Sequence, residues 1–376
     1  MNRSLFFIAL ALLLWGFGEG MFFNFVPIYL DQQFALSEAQ IGLVLGIFGL
    51  SMAVTHIPAG RLADRLGRRP LLITAWLMGL AATVLMGFGA ALPLFLAGLF
   101  LYGLTAFVSS PMSSYVTAAR GNWPVGTALS LTTVAFSSGM ALGPVTGGWL
   151  GERYGMQTTF LVAAALFAIS TLFILLIAGQ PIDHHDPAAP PPSLLANRRF
   201  TGFLGVLALA MFAMYLAVPL TPNFLEGVRG LSLSQTGIIF TFGALGNAVM
   251  ALLLSRANPR HGFLAAQALV ILFALAIWKG ASLPVFALGY FLLGGFRAAR
   301  PMALAQAREL VHDSQMGLTY GMMETVSAMV FILTPMLAGL LFEVEPSLIY
   351  PLTMLLLTVS ILISYLFSPR KESSHA

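Results

Sequence analysis

The chain has 376 residues, of which 58% are hydrophobic and only 9% are charged. A soluble domain carries about 25% charged residues, so this composition excludes a soluble globular protein and indicates an integral membrane protein. Cysteine is absent, which excludes disulfides, thiolate catalysis and cysteine-ligated metals. The net charge of +4 is compatible with a nucleic-acid partner, but the positions of the charges argue otherwise.

Twelve apolar stretches are long enough to cross a membrane, which takes about 20 residues in a helix. In chain order they are 5–30, 39–58, 71–90, 93–117, 127–150, 156–178, 200–222, 233–254, 262–280, 284–306, 316–340 and 347–367. They do not alternate as barrel strands do, so the predicted fold class is an all-α membrane protein. The first stretch is too long for a signal-peptide core and lacks a clear A-x-A cleavage site, so we expect it to be retained as a helix.

Lysine and arginine are distributed unevenly between the connecting segments. With the N-terminus in the cytoplasm, thirteen of them lie on the cytoplasmic side and three outside. This bias predicts that both termini are cytoplasmic. It also explains the positive charge by contact with anionic headgroups of the lipid bilayer, so no nucleic-acid partner is expected. The small loops suggest a bacterial inner (plasma) membrane.

A polar, proline-rich segment at 179–199 divides the chain nearly in half. Its composition predicts a solvated cytoplasmic linker between two six-helix bundles, 1–178 and 200–376. Within it, His184 and His185 stand between Asp183 and Asp186. These side chains could bind a metal, but a solvated loop is the preferred interpretation, and no metal site is predicted.

The two halves resemble each other at an offset of about 190 residues. The matching pairs are Gly143-Pro144 with Thr334-Pro335 and Pro93 with Pro284, both at an offset of 191, Pro111 with Pro301 at 190, and Gln40-x-Gly42 with Gln235-x-Gly237 at 195. A six-helix unit used twice places a substrate site near the middle of the membrane, between the repeats.

Residues 60–70, between the second and third predicted helices, read GRLADRLGRRP. This segment resembles the signature loop of the major facilitator superfamily. The resemblance implies a conformational latch between the two halves on the cytoplasmic side, formed in this sequence by Gly60, Asp64, Arg65, Gly67 and Arg69. The alternative is that the arginines only fix the topology.

The resemblance also implies twelve transmembrane helices in two pseudo-symmetric six-helix bundles that work by alternating access, usually as a monomer. The sequence contains no G-x-S-x-G, H-E-x-x-H or G-x-x-x-x-G-K-[ST] motif, so an enzyme is not expected. No ATP-binding domain is present either. We therefore expect a small-molecule transporter without a cofactor that draws on a proton gradient or on substrate exchange.

The fifth predicted helix contains GMALGPVTGGWL. It resembles the helix 5 motif of the superfamily's drug exporters at Gly139, Gly143, Pro144, Gly147 and Gly148. The match is incomplete upstream, where Thr132 replaces a preferred glycine, and ordinary small-residue packing is the alternative. Many proton-coupled exporters of the family carry an arginine in helix 4 where this chain has Leu99, so coupling to an ion gradient must depend on other residues.

Four charged residues lie within the predicted spans: Glu19, Arg297, Arg300 and Glu324. A charge at the bilayer centre costs at least about 2.5 kcal/mol, so each is a candidate functional residue. Glu19 lies about 21 Å from the inner surface. Apolar surroundings disfavour an ionised carboxyl group, so Glu19 is a candidate for proton coupling. A locally hydrogen-bonded acid between helices is the alternative.

Arg297 and Glu324 are expected at comparable depths on consecutive helices. They could form a salt bridge that costs less than either charge alone, with Glu324 as a second candidate for proton coupling. Arg297 could instead hold an anion in the cavity, and the two interpretations stand equally. Arg300 is closer to the cytoplasm and could extend there, and Pro301 is expected to bend the helix.

In the family, helices 1, 4, 7 and 10 line the cavity. The candidate lining residues on these helices are Phe22, Asn24, Tyr102, Phe107, Met211, Tyr215, Tyr290 and Phe296. Methionine and aromatic side chains make an adaptable apolar pocket, although they are equally ordinary in membrane cores.

The leading hypothesis is a proton-coupled exporter of lipophilic small molecules, cations among them, of the multidrug efflux type. The second is proton-coupled uptake or exchange of a small anionic solute held by Arg297. A remote third is a receptor or lipid scramblase that does not transport solutes. The sequence leaves open the substrate, the direction of transport and the oligomeric state.

Overall fold

The computed structural model describes residues 3–89, 91–179, 197–254, 256–311 and 316–367, without the side chains of 56–66, 110, 126, 316–318 and 320. These ranges fold into α-helices and contain no strand. The helices are α1 (Arg3–Phe22), α2 (Val26–Phe34), α3 (Glu38–Leu66), α4 (Arg68–Phe88), α5 (Leu92–Leu104), α6 (Ser109–Ala119), α7 (Val125–Tyr154), α8 (Met156–Leu175), α9 (Arg198–Tyr215), α10 (Thr221–Asn223), α11 (Leu233–Leu254), α12 (Pro259–Lys279), α13 (Leu283–Leu292), α14 (Gly294–Arg308), α15 (Met316–Val344) and α16 (Ile349–Phe367).

Every predicted span is occupied by helix. Within the described ranges, nine helices are long and apolar enough to cross a membrane, and the bent pair at residues 92–119 makes a tenth. The other two predicted spans, 200–222 and 284–306, are helical but interrupted, and the second carries Arg297 and Arg300. The all-helical membrane fold is therefore confirmed, and the count of twelve is consistent with it.

The helix breaks differ in part from those predicted. Residues 60–66 do not form a loop, because α3 runs through to Leu66 and only Gly67 separates it from α4. Gly67 has φ +80°, a left-handed conformation that glycine adopts without strain. In the tenth predicted span, Pro301 lies inside α14 and the interruption is at Leu293, before two successive glycines.

Contacts between Cα atoms group the chain into two compact units. The first unit comprises Met1–Leu36, Ile47–Asp186 and Leu225–Thr241, and the second comprises Ser37–Gly46, Pro187–Phe224 and Phe242–Ala376. In the first unit α1 packs on α7 and α8, and α4 packs on α5 and α8. In the second, α12 packs on α14 and α16, and α9 packs on α15 and α16. Two short segments thus group differently from the predicted bundles, whose boundaries stay a prediction.

Glycines on facing sides bring α1 and α7 into backbone contact. A methyl group at Gly143 would lie 2.6 Å from Gly20 Cα, and one at Gly20 would lie 3.1 Å from Gly143 Cα. Gly139 meets the Leu13 carbonyl and Gly147 meets that of Met21 in the same way. Small residues allow this close approach, which sets the rotation of α1 and hence the direction of its polar side chains.

The internal repeat is visible as paired contacts. Gly42 of α3 packs against the Pro335 carbonyl of α15, and Gly237 of α11 packs against that of Pro144 of α7. The two glycines match in the sequence at an offset of 195, and the two prolines at 191. The predicted repeat is therefore confirmed at these positions.

Two acids extend the same symmetry. Glu343, at the end of α15, accepts a hydrogen bond of 3.2 Å from the Ala39 backbone N–H at the start of α3. Glu152, at the end of α7, accepts one of 2.9 Å from the Ser234 N–H at the start of α11. A carboxylate at a helix N-terminus satisfies an unpaired donor and complements the helix dipole.

Candidate functional site

Glu19 is a part-exposed residue of α1 whose carboxylate is bound by two aromatic side chains. Tyr102 of α5 donates a hydrogen bond of 2.7 Å from its hydroxyl to Oε2, and the Trp15 indole N–H donates one of 3.2 Å to the same oxygen. Trp15 lies one helical turn before Glu19, so the spacing of the chain itself places this donor. Hydrogen bonds to an ionised group are the stronger class.

Aromatic rings surround this carboxylate. Trp15 stacks on Phe167 of α8 with ring centroids 4.1 Å apart and an interplanar angle of 11°. It also packs on Trp76 of α4, at 4.8 Å between centroids. Phe22 contacts the Tyr102 ring edge-on at 5.5 Å. Because aromatic faces attract cations, the rings and the acid together provide an environment suited to a proton or a lipophilic cation.

Other residues hold this aromatic cluster in place. The Trp76 indole donates a 2.7 Å hydrogen bond to Ser170 Oγ, which in turn donates one of 2.7 Å to the Ala11 carbonyl of α1. Gly79 leaves the space that the Trp15 ring fills, because a side chain there would overlap it. The orientation of Trp15 thus depends on α4 and α8 as well as on α1.

In the second unit, Glu324 of α15 forms its ion pair with Arg300 of α14. The sequence-based pairing of Glu324 with Arg297 is therefore wrong. Two successive helices carry these groups, and a shift from residue 297 to 300 moves a side chain by about 4.5 Å along the axis. The helix is interrupted at Leu293, and α14 begins at the next residue. A depth counted along one continuous helix from Pro284 therefore does not predict which arginine meets Glu324.

Arg297 lies one turn before Arg300, and its side chain is exposed. Among the residues that the structure describes, its guanidinium forms no hydrogen bond or ion pair. Next to it, Phe296 stacks on Tyr215 of α9 with centroids 5.5 Å apart and an interplanar angle of 20°. Phe331 of α15 packs edge-on against Tyr215 at 4.8 Å. We call Tyr215, Phe296 and Phe331 the aromatic trio.

The predicted cavity residues divide by burial. Phe22, Tyr102, Met211 and Tyr290 are buried, with at most 7% of each exposed. Asn24, Phe107, Tyr215 and Phe296 are part-exposed. Contact with a solute requires some exposure, which the second group has and the first group lacks.

The predicted latch is only partly within the described residues. The side chains of Asp64 and Arg65, and the surroundings of Gly60, lie outside them. Arg69 donates a hydrogen bond of 3.2 Å to the Leu175 carbonyl at the end of α8, where a cation also complements the helix dipole. The latch role stays a prediction.

The helix 5 motif residues make contacts that ordinary packing explains. Gly139, Gly143 and Gly147 meet α1, and Gly148 meets the Leu233 carbonyl at the start of α11. Pro144 lies inside α7 without ending it. This close packing positions the helix that carries Glu19, and the exporter-specific role of the motif stays a prediction.

Several residues of the Glu19 region were missed by sequence reasoning, namely Phe167, Trp76, Gly79 and Ser170. Gly79 and Ser170 are small or polar residues among apolar ones, and Phe167 and Trp76 are aromatic residues in apolar helices; both features are ordinary in membrane helices. The described residues hold no group of three or more possible metal ligands, and the segment with His184 and His185 lies outside them.

Comparison with known proteins gives one family. The model described as Major Facilitator Superfamily matches residues 8–262 and 203–376. The chain is 27% identical over 278 residues to multidrug resistance protein MdtG of Proteus mirabilis (strain HI4320), covering 69% of this chain and 66% of that protein. The chain thus spans just under two thirds of that relative's length.

Two further similarities extend over nearly the whole chain. Multidrug resistance protein 1 of Bacillus subtilis (strain 168) is 21% identical over 365 residues, which cover 92% of this chain and 90% of that protein. The crystal structure of the nucleoside transporter NupG matches with a TM-score of 0.79 and 15% identity, covering 98% of each chain. At that identity the structural likeness concerns the fold alone.

Proposed function

Because the chain belongs to the Major Facilitator Superfamily, it is a multi-pass membrane transporter, and we propose that it exports lipophilic small molecules, cations among them, in exchange for protons. The observation that carries the proposal is the Glu19 carboxylate held by Tyr102 and Trp15 inside a cluster of aromatic rings. The multidrug resistance relatives support export over uptake.

The proposed cycle uses Glu19 as the group that a proton and a substrate occupy in turn. As a carboxylate it attracts a lipophilic cation, whose apolar part packs on the surrounding rings. Protonation removes the charge and releases the cation. Arg297 and Glu324 are not needed for this exchange. Glu324 would act as a second proton-coupling group only after separating from Arg300.

No bound cofactor is required by this scheme, since the proton gradient supplies the free energy. The bias of lysine and arginine supports an inner bacterial membrane with both termini in the cytoplasm. The family resemblance supports a monomer as the working unit.

The test is proton-driven transport of tetraphenylphosphonium in proteoliposomes with an imposed pH gradient. Replacing Glu19 by Gln keeps the size of the side chain but removes the ionisable group, so proton-driven transport should be abolished. Glu309→Gln is the matched control, because Glu309 is an exposed acid at the end of α14. Unchanged coupling in Glu19→Gln would refute the proposal.

The same assay tests the alternatives. Accumulation of an anionic solute by the native chain, driven by protons in the uptake direction, would favour uptake or exchange. If neither cations nor anions accumulate against a gradient in the native chain, a receptor or a lipid scramblase on the same fold becomes the better interpretation.

A further inference from the structure

Arg297 is a positive charge without a protein counter-charge in the part of the chain that the structure describes. The neighbouring Arg300 is neutralised by Glu324, so this acid is already engaged. An unneutralised charge in the membrane costs at least about 2.5 kcal/mol, and a functional role is the default explanation for such a residue.

The position of Arg297 on α14 indicates which groups it can serve. It lies three residues before Arg300, whose side chain meets α15, so the two arginines are neighbours on one side of the helix. Its neighbour in the chain, Phe296, stacks on Tyr215 of α9. The segment of α14 that carries Arg297 therefore contacts α9 and α15, which supply the other two rings of the aromatic trio.

The aromatic trio adds flat, part-exposed rings beside this charge. Phe296 and Tyr215 are nearly parallel, and Phe331 stands almost at right angles to both, with interplanar angles of 85° and 86°. All three side chains are part-exposed, so a small ring can reach them. Rings pair edge-to-face or offset-stacked with other aromatic groups.

We propose that Arg297 and the aromatic trio form a binding site in the second unit for aromatic organic anions, such as ring-bearing carboxylates. The guanidinium would hold the carboxylate by two parallel hydrogen bonds, and the ring of the ligand would pack on Tyr215, Phe296 and Phe331. The part-exposed rings beside Arg297 can pack on a flat aromatic group, which favours a ring-bearing solute over a lipid headgroup.

This site is separate in chemistry from the cation site proposed at Glu19. Glu19 offers a negative group that takes up a proton, whereas Arg297 keeps its charge at all physiological pH values. Anion binding therefore does not rest on proton coupling, and either proposal can fail without the other.

The experiment is calorimetric titration of the purified full-length chain with 2-naphthoate and with the neutral 2-naphthamide, which has the same ring. Arg297→Gln should weaken naphthoate binding by about tenfold or more, the loss of a charge-assisted hydrogen bond. Arg297→Lys keeps the charge and should lose less than about threefold. Arg308→Gln, at the end of the same helix, is the control and should bind as the native chain does.

Three results would overturn the proposal. One is equal affinity of the native chain for naphthoate and naphthamide; another is undiminished naphthoate binding in Arg297→Gln. The third is displacement of naphthoate by phosphatidylglycerol added to the micelles, which would assign Arg297 to a lipid headgroup. Should Arg297→Gln fail to fold, Phe331→Leu decides, because it should weaken binding of both probes, and unchanged binding of both would count against the site.

Discussion

The regions around Glu19 and Arg297 both hold a charged side chain, but they differ in whether the described part of the protein supplies it with a partner. Both place a charged side chain of a predicted membrane span beside aromatic rings. Glu19 receives two hydrogen bonds from within its own unit, whereas Arg297 has no such partner among the described residues. The carboxylate of Glu19 can take up and release a proton in a transport cycle. The guanidinium of Arg297 keeps its charge and is open to an anionic ligand.

The difference follows from how the supporting helices pack. In the first unit, glycines hold α1 against α7, and the opposite side of α1 carries Trp15 and Glu19 toward the aromatic cluster. In the second unit, α14 begins anew at Gly294 after an interruption, and its arginines are three residues apart. Arg300 pairs with Glu324, and Arg297 does not, among the described residues.

The largest effect is expected from a change that displaces α1, because α1 carries Glu19. In Gly143→Ala the added methyl group would lie 2.6 Å from Gly20 Cα, and overpacking of this kind costs about 1–3 kcal/mol. We expect a clear fall in melting temperature and loss of proton-driven transport. Gly205→Ala in α9 is the matched control, since it meets nothing within 4 Å. Equal melting temperatures for the two variants would contradict the close glycine-mediated packing of α1 on α7.

A second change removes one donor from Glu19 and leaves the ring. Tyr102→Phe deletes the 2.7 Å hydrogen bond to the carboxylate, which in general contributes about 1.5–3 kcal/mol to a charged acceptor. The carboxylate form then loses stabilisation, so the pH profile of transport should shift to higher pH. Tyr29→Phe changes a nearby ring of the same network and should leave the profile unchanged; identical profiles for all three proteins would exclude the positioning role of Tyr102.

A third change tests the region around Arg297. Glu324→Gln removes the counter-charge of Arg300 and makes the region around Arg297 more positive. The pair is half-exposed, with 51% and 43% of the side chains accessible, so the expected effect is about 1 kcal/mol or less. Calorimetry should show naphthoate binding up to about fivefold tighter. Weaker binding would mean that Glu324 helps to build the site.

The smallest effects are expected at the symmetric acids. Glu152→Gln and Glu343→Gln each keep a hydrogen-bond acceptor but lose a charge at a helix N-terminus, worth about 0.3–1 kcal/mol. Each should lower the melting temperature slightly and by a similar amount, as the repeat requires. A large difference between the two variants would show that the repeats are not equivalent in energy.

Much of the fold was predictable from sequence because each membrane span must satisfy its backbone internally. Long apolar stretches therefore predicted the helical spans, and the match of Gln40-x-Gly42 with Gln235-x-Gly237 predicted the repeat that the paired contacts of Gly42 and Gly237 show. The segment 60–66 was misread as a loop, because its charges and glycines suggested one, whereas helix continues to Leu66.

The candidate site was predictable only in part. Glu19 and Tyr102 were both selected from the sequence, but their hydrogen bond was not. Phe167 was missed, because nothing in an apolar helix marks one phenylalanine among many. Arg300 was expected to lie closer to the cytoplasm and to be able to extend there, yet it forms the ion pair with Glu324 that had been proposed for Arg297.

The sequence by itself determined the membrane class, the order of the spans, the internal repeat and the family resemblance. These depend on composition, run length and spacing along the chain. The tertiary structure alone decided which aromatic groups bind Glu19 and which arginine meets Glu324. Those contacts depend on the rotation of each helix about its axis, which is set by the close packing of glycines and by helix breaks rather than by position in the sequence.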